Sequence, residues 1–509
     1  MEKRTIIAIV LSIAILMGYQ YFFVKPVPPQ KAPAGVNATA PTEAGPPVGA
    51  EPVKPVMPVP PALGEQFVKV ETDLYAAVFT SKGGTLKSFQ LKKYADKNGL
   101  MISLLAEGGA YPALGIGSRD DFSVSGENFS LMGRNMNLSD GQTGTLVFDY
   151  AGERYSIRRT YTFYGGNYKF DLRDEVAGFP AYAITLGTGF GLSSKEEEVG
   201  THSGPVILAD TNRTELTAKK LKEAKTFTGA LKWIAQEDKY FFAAIAPQTP
   251  MEEARAWVSG GAEVVTLNSS LKDGRADNSF LIYAGPKEHD KLSELGAGLE
   301  HIVDFGFFSI IARPLFWFLK FLHRFVGNWG WAIVILTIVI RIPFIPIVNK
   351  GQRAMKRLQE LQPRMQEIKE KYKKDPQKMQ AEMAGLYKKH KVNPMGGCLP
   401  MLLQIPVFFA LYKVLLISIE LRGAPFMLWV TDLSQKDPYY VLPIVMGITM
   451  VLQQKMTPST GDPKQQKLMM FMPVIFTFMF LSFASGLVLY WLVNNILSIA
   501  QQFYINKKK

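Results

Sequence analysis

The 509-residue sequence predicts a polytopic α-helical membrane protein, with six spanning helices and a large extracytoplasmic β-sandwich domain. Three observations lead there. A charge-free run from Thr5 to Val24 is long enough to cross a hydrocarbon core of about 30 Å. Short alternating segments fill the middle of the chain, and apolar segments of spanning length return after Phe305. The third is charge: 57 Lys and Arg against 44 Asp and Glu, a net of +13, fit either a nucleic-acid binder or a membrane protein with basic cytoplasmic loops. The location of the charge decides between them. A single cysteine, Cys398, excludes an intramolecular disulfide framework and a four-cysteine zinc site.

Residues 1–24 read as a transmembrane anchor. A cleaved signal peptide would have a shorter apolar region, and no small-residue cleavage site directly follows Phe23. Residues 25–62 hold 12 prolines among Ala, Gly and Val, a composition that cannot bury a core and reads as an extended tether. From 63 to 299, runs such as GTLVFDY, RYSIRRTYTFY and YKFDLRDEV alternate in polarity between Gly and Asn turns, as strands of a half-buried sheet do. Within this domain, TELTAKKLKEAK predicts a helical excursion between Asp210 and Asp238. The GTGFG near Thr188 is not followed by a βαβ pattern, so it marks a loop and not a dinucleotide site.

Residues 305–327 mix Phe, Trp and Leu with Arg313, Lys320, His323 and Arg324, which suits a helix lying in the membrane interface. Residues 329–504 then supply five candidate spans: Trp329 to Val348, Leu399 to Ile419, Tyr439 to Gln453, Leu468 to Phe483 and Leu487 to Tyr504. The third and fourth, at about 15 residues, imply a locally thinned bilayer. Residues 350–391 carry 13 Lys and Arg against 5 Asp and Glu. With six spans this segment, the lysines of Lys455 to Lys467, the basic tail 505–509 and the MEKR terminus share one side, the cytoplasm. Both termini are then cytoplasmic and the β domain lies outside, which accounts for the net charge without nucleic acid.

In the cytoplasmic segment, Leu358, Leu361, Met365, Ile368 and Tyr372, then Met379, Met383 and Leu386, recur at helical spacing around an Asp375-Pro376 break. This predicts a hairpin of two helices. Its basic residues Lys356, Arg357, Arg364, Lys371, Lys373 and Lys374 form a docking face suited to anionic lipid or RNA.

Arg341 lies in WAIVILTIVIRIPF, a stretch otherwise free of charge. A helix stopping before Pro343 would span about 14 residues, short of the roughly 17 that crossing needs. If it continues to Val348, Arg341 sits about 10 Å inside the boundary, where a charge costs about 2.5–3.5 kcal/mol and faces a bundle interior or a hydrated cavity. A snorkelling arginine at the interface is the competing reading. Thr337 shares its helix face. Tyr490, Asn494, Ser498 and Gln501 make a polar stripe on the last span, and Gln404 adds a polar group between two prolines. Such residues ordinarily serve as interhelical glue. No span contains an Asp or Glu to pair with Arg341, so together they describe a hydrated pocket, while pairing with carbonyls freed by Pro343, Pro346 or Pro406 stays open. No Walker A or HExxH is present and the five histidines are scattered, so no nucleotide, metal or other cofactor, and no enzymatic activity, is expected.

NWGWAIVILTIVIRIPFIPIVNKGQRAMKRLQELQP, followed by NPMGGCLPMLLQIPVFFALYKVL, resembles the YidC membrane-protein insertases from about Phe305 to Tyr504. The anchor, tether and TDLYAAVFTSKGGTLKSFQLKKY are similar to the Gram-negative form of that family. The resemblance implies a five-helix groove open to cytoplasm and lipid and closed toward the outside. It implies an insertase and chaperone of nascent membrane proteins in the bacterial inner membrane, acting alone or with the Sec translocon. It places the groove arginine on Arg341 and substrate-contacting positions on Thr337 and on Tyr490 with its neighbour Trp491. Gln404 and Asn494 complete the expected lining, and ribosome contact would rest on the hairpin and the Lys455 to Lys467 loop. The rival class is a secondary transporter or channel for an anionic solute bound at Arg341, which inverted repeats would mark.

Overall fold

A computed structural model describes residues 64–507 apart from 97, 106–107, 194–200, 391–398 and 457–462. The expected anchor and tether, Cys398 and the last two residues lie outside the described residues.

Alternation in the sequence becomes alternation in burial. Along Ser156–Tyr164, Ile157, Arg159, Tyr161 and Phe163 face inward while Arg158 is exposed, as the two-residue period of a strand requires. Three sheets result. A five-stranded sheet runs Met101–Ser103, Thr85–Ala95, Tyr75–Thr80, Phe67–Thr72, Met136–Leu138. A nine-stranded sheet runs Asn212–Glu215, Gly204–Ala209, Leu231–Glu237, Phe241–Pro247, Arg275–Pro286, Lys169–Ala177, Ser156–Tyr164, Thr143–Ala151, Ser130–Met132. The third runs Lys225–Thr228, Glu253–Ser259, Ala262–Ser269, Tyr182–Thr185, Ile116–Gly117. Phe79 of the first sheet packs on Tyr161, Phe163 and Phe170 of the second, with ring centroids 4.8, 5.4 and 6.3 Å apart. All four rings are fully buried. At about 1.5–3 kcal/mol per buried large side chain, this face-to-face aromatic layer is a main source of the region's cohesion.

The helical excursion expected between Asp210 and Asp238 is absent. That stretch forms strands Asn212–Glu215, Lys225–Thr228 and Leu231–Glu237, with one 3-10 turn at Ala218–Lys220. The physical reason lies in the apolar spacing: Leu216 and Leu221 are buried, but five positions apart they cannot share a helix face, so strand pairing wins.

Helices follow. A short α1 (His289–Glu294) precedes α2 (Ser309–Val326), and α3 (Trp329–Arg341) leads through a 3-10 turn at Ile342–Phe344 into α4 (Ile345–Glu360). These last three segments form one helical run of 32 residues, so the expected first span continues past Val348 into the basic segment without a break. Then come α5 (Gln362–Lys371), α6 (Pro376–Lys389), α7 (Leu399–Ile417), α8 (Val441–Met456), α9 (Pro463–Phe480) and α10 (Ser485–Lys507). The expected two-helix hairpin therefore has an additional joint at Leu361, whose neighbour Pro363 lies in the first turn of α5 and lacks the N–H to extend α4. The Asp375-Pro376 break falls where the sequence places it, with Asp375 Oδ1 accepting from the Lys378 N–H at 3.1 Å. Leu358, Leu361 and Met365 pack against Met383, Leu386 and Tyr387 to hold the arms together.

On α2, Ile310, Trp317, Phe321 and Phe325 are exposed at roughly helical spacing, while Ala312, Phe316 and Leu319 are buried. An exposed aromatic stripe opposite a buried one is what a helix lying on an apolar surface needs.

Candidate functional site around Arg341

Short-range polar contacts hold together the bundle end next to the β region. Asn328 caps α3, its Oδ1 accepting from the Trp331 N–H at 3.1 Å, while its Nδ2 donates to the carbonyls of Pro425 and Phe426 at 3.1 and 3.0 Å. Gly330 lies so close to the Phe426 ring that an added Cβ would come within 2.0 Å of it. The α7–α8 connection also holds the start of α10, with Gly486 N–H to Leu433 O at 2.9 Å and Ser485 N–H to Gln435 O at 2.7 Å.

At that end the β region sits directly on the helices. Arg422 donates to Ala95 O at 2.8 Å and lies against the Phe241, Tyr240 and Tyr94 rings, 5.2, 5.8 and 6.0 Å from their centroids. Lys320 of α2 reaches both Asp290 of α1, at 2.5 Å, and Glu420, at 3.5 Å. Burial raises the Glu420 carboxyl above its ordinary range, against the opposing pull of Lys320.

Twelve residues along α3 from Trp329, or about 18 Å at 1.5 Å per residue, is Arg341. Its Nη1 donates to Asn494 Oδ1 at 2.5 Å and to Asn494 O at 3.4 Å; its Nη2 donates to Ser498 Oγ at 2.8 Å and Gln501 Oε1 at 3.2 Å. The polar stripe of α10 thus faces Arg341, three of its four members touching the guanidinium. Every one of these acceptors is neutral, and among the described residues no carboxylate pairs with Arg341. The carbonyl reached by the guanidinium is that of Asn494 and not one freed by a proline.

Gln501 does more than accept. Its Nε2 donates to Asn349 Oδ1 at 2.7 Å and Ile345 O at 3.3 Å, joining the arginine to the base of α4. Asn349 escaped the sequence reading because it sits in a polar segment, IVNKGQR, where an asparagine is unremarked.

Thr337, Arg341, Gln404, Tyr490 and Asn494 line one cavity with Ile340, Phe344, Val348 and Val407. Its volume of about 30 Å³ is room for a water or two, not for a peptide. Thr337 is buried and its hydroxyl donates back to Ile333 O at 2.7 Å, so it adds polarity without a free donor. Trp491 is not among the lining residues; it packs with Phe408, Phe480 and Phe476, at 4.8, 5.3 and 6.3 Å, in an aromatic cluster between α7, α9 and α10. The proposed docking residues occupy one arm and its turn: Lys356 and Arg357 on α4, Arg364 and Lys371 on α5, Lys373 and Lys374 in the turn before α6. All but the half-buried Lys356 are exposed. Among the described residues no group of three or more His, Cys, Asp and Glu is gathered as a metal site requires.

An arginine held by neutral oxygens in a small cavity between apolar helices, under a docked β domain, defines a helical membrane protein with a polar site in its interior. Comparison with known proteins gives the particular family. Residues 321–509 match the 60Kd inner membrane protein family and residues 67–318 match the YidC periplasmic domain. The membrane protein insertase YidC of Syntrophus aciditrophicus (strain SB) is 43% identical over 551 residues, covering 100% of both chains. That of Geotalea daltonii is 43% identical over 540 residues, covering 100% of this chain and 99% of the relative. An active YidC insertase crystal structure with its first transmembrane domain resolved is 19% identical, covers 88% of this chain and 94% of that one, and superposes with a TM-score of 0.39. The chain belongs to the YidC family of membrane protein insertases: an inner-membrane protein with a periplasmic domain and a helical C-terminal region.

Proposed function

We propose that this insertase and chaperone lowers the barrier to membrane insertion by lending a client's polar tail a cation inside the bilayer. The observation that carries this reading is Arg341, bonded only to neutral oxygens, so that its charge stays uncompensated within the bundle. A nascent apolar segment is received beside the basic hairpin, through Lys356, Arg357, Arg364, Lys371, Lys373 and Lys374. Its short acidic tail is drawn toward Arg341, between Thr337, Gln404, Tyr490, Asn494 and the neighbouring Trp491. Moving a carboxylate partway in beside a cation reduces the desolvation cost of the crossing. Burial of the apolar segment in lipid, at about 25 cal/mol per Å², then drives release of the tail outward.

This reading uses six spans, residues 1–24 and five in 329–504, with 25–62 as tether, 63–299 as periplasmic domain, 305–327 at the interface and both termini in the cytoplasm. The five core helices form a groove whose periplasmic end is closed by the Asn328 and Phe426 contacts. The Sec translocon and the ribosome are the proposed partners besides nascent chains and lipid, and no nucleotide is used.

The test is insertion of a small acid-tailed client into liposomes by wild type, Arg341→Lys and Arg341→Ala. Loss with Ala and retention with Lys is expected, by about tenfold or more if the lost charge-assisted contact is worth about 1.5–3 kcal/mol. Equal insertion by Ala would return Arg341 to a packing role. A dependence on imposed membrane potential for free anion flux through the protein would favour the transporter reading instead.

A further inference from the structure

Arg341 has five N–H donors, and the four on its terminal nitrogens are all engaged by α10. A carboxylate that binds a guanidinium in the usual two-pronged way needs at least one of those four. The neighbouring cavity of about 30 Å³, lined by Asn494 but by neither Ser498 nor Gln501, has room for a water or two and not for a carboxylate-bearing tail. A client group therefore exchanges with Asn494, Ser498 or Gln501; it does not simply join them.

The chemistry of that exchange depends on what the client offers. A tail amide or hydroxyl replaces a neutral oxygen with another neutral oxygen, and little is gained. A carboxylate adds the attraction of opposite charges at about 3–4 Å in a surrounding of low dielectric constant, which no member of the present set supplies. We propose that Asn494, Ser498 and Gln501 form a displaceable oxygen cage around Arg341 that makes the site selective for carboxylate-bearing tails over uncharged polar ones. This inference rests on the insertase reading and names the residues that set its client selectivity. Neutrality of the cage is the operative property: an acid at any of the three positions would saturate the cation, and a missing acceptor would leave it ready to take any oxygen.

Geometry makes two of the positions independent probes. Gln501 meets Nη2 from one side and is itself fixed by Asn349 and Ile345; Asn494 meets Nη1 from about two turns nearer the Tyr490 end of α10. Gln501→Glu and Asn494→Asp each change one nitrogen to oxygen with almost no change in volume.

The experiment uses the full chain in liposomes with two clients identical but for an Asp or an Asn in the tail, and reads the ratio of their insertion rates. Wild type is expected to favour the Asp client by about tenfold, the equivalent of about 1.4 kcal/mol. Gln501→Glu and Asn494→Asp should bring the ratio close to one by slowing the Asp client alone. Ser498→Ala should also reduce the ratio, by the opposite route of speeding the Asn client. An unchanged ratio in both acidic variants, while Arg341→Ala still removes it, overturns the cage and leaves the reading of Arg341 standing. An unchanged ratio in Arg341→Ala overturns that reading itself. Equal slowing of both clients by both acidic variants, in protein with an undiminished melting temperature, would make the cage a packing feature and sink the proposal.

Discussion

Two arginines, one in each half of the molecule, are taken out of water in opposite ways. In the β domain, Arg159 is fully buried and donates to both oxygens of Asp174 at 2.9 and 3.1 Å, and to the carbonyls of Leu114, Gly83 and Gly84 at 2.7, 3.0 and 3.4 Å. Tyr182 completes the group by donating to Asp174 at 2.7 Å. The charge is cancelled, every bond points to a fixed partner, and the nine-stranded sheet is pinned to the Gly83–Gly84 turn. Arg341 has the same donors and no acid. The difference separates a charge that serves the fold, whose partner neutralises it, from one that we propose is kept for exchange, whose partners are all neutral.

The comparison breaks most severely at Asp174. Asp174→Asn leaves Arg159 charged, buried and without its counterion, and losing one partner of a buried pair costs about 3–5 kcal/mol. Urea or thermal unfolding of the full chain in detergent should show a β-domain transition lowered accordingly, with insertion per folded molecule little altered. Arg341→Ala, by contrast, leaves behind only neutral oxygens that bond water, and should change insertion far more than unfolding. A β-domain midpoint unmoved by Asp174→Asn would end the distinction between the two arginines.

How far the sequence shows this contrast depends on the range of the interactions involved. Arg341 is legible because one charge in a long apolar run is anomalous locally, and its facing stripe is legible because Tyr490, Asn494, Ser498 and Gln501 repeat with the helix. The inward turn of Arg159 is also written in the alternation of Ile157, Arg159, Tyr161 and Phe163. Its partner is not, because Asp174, fifteen residues on, meets Arg159 through the register of two paired strands, which only the folded sheet determines. The place of Trp491 in the aromatic cluster is hidden for a related reason. Its neighbour Tyr490 lies on the cavity, but one residue is about 100° of helix, enough to carry the indole into the aromatic cluster. Composition alone suggests a helical excursion after Asp210, and strand pairing overrides it.

A smaller effect tests the proposed closure of the site. Gly330→Ala would push a methyl into the Phe426 ring, whose nearest atoms lie 2.0, 2.4 and 2.8 Å from the new carbon position. Overpacking of this kind costs about 1–3 kcal/mol and here falls on the contact proposed to seal the periplasmic end of the bundle. A lower melting temperature and a rise in small-dye leakage through protein-bearing liposomes are expected. If both stay at the wild-type values, the ring swings aside freely and the seal rests on the Asn328 and Ser485 bonds instead.

The smallest effect concerns a third buried charge, intermediate between the two arginines. Glu420 has a cation within reach, but Lys320 is 3.5 Å away and is shared with Asp290, which it approaches more closely at 2.5 Å. Glu288 faces the same region and opposes a second negative charge there. Burial, the largest influence, raises the folded-state pKa of Glu420 above the ordinary value of 4.5. A carboxyl shifted in this direction favours its protonated form in the folded protein, so its contribution is full below about 4.5 and is lost as pH rises through the shifted value. The seat of the β domain on the helices should accordingly loosen as pH rises above about 4.5, by the share that Glu420 controls. Glu420→Gln, always neutral, should flatten that part of the curve of melting temperature against pH. A steeper decline in the variant would mean that Lys320 compensates the ionised carboxylate fully, and that this pair belongs with Arg159 and Asp174 as a neutralised charge.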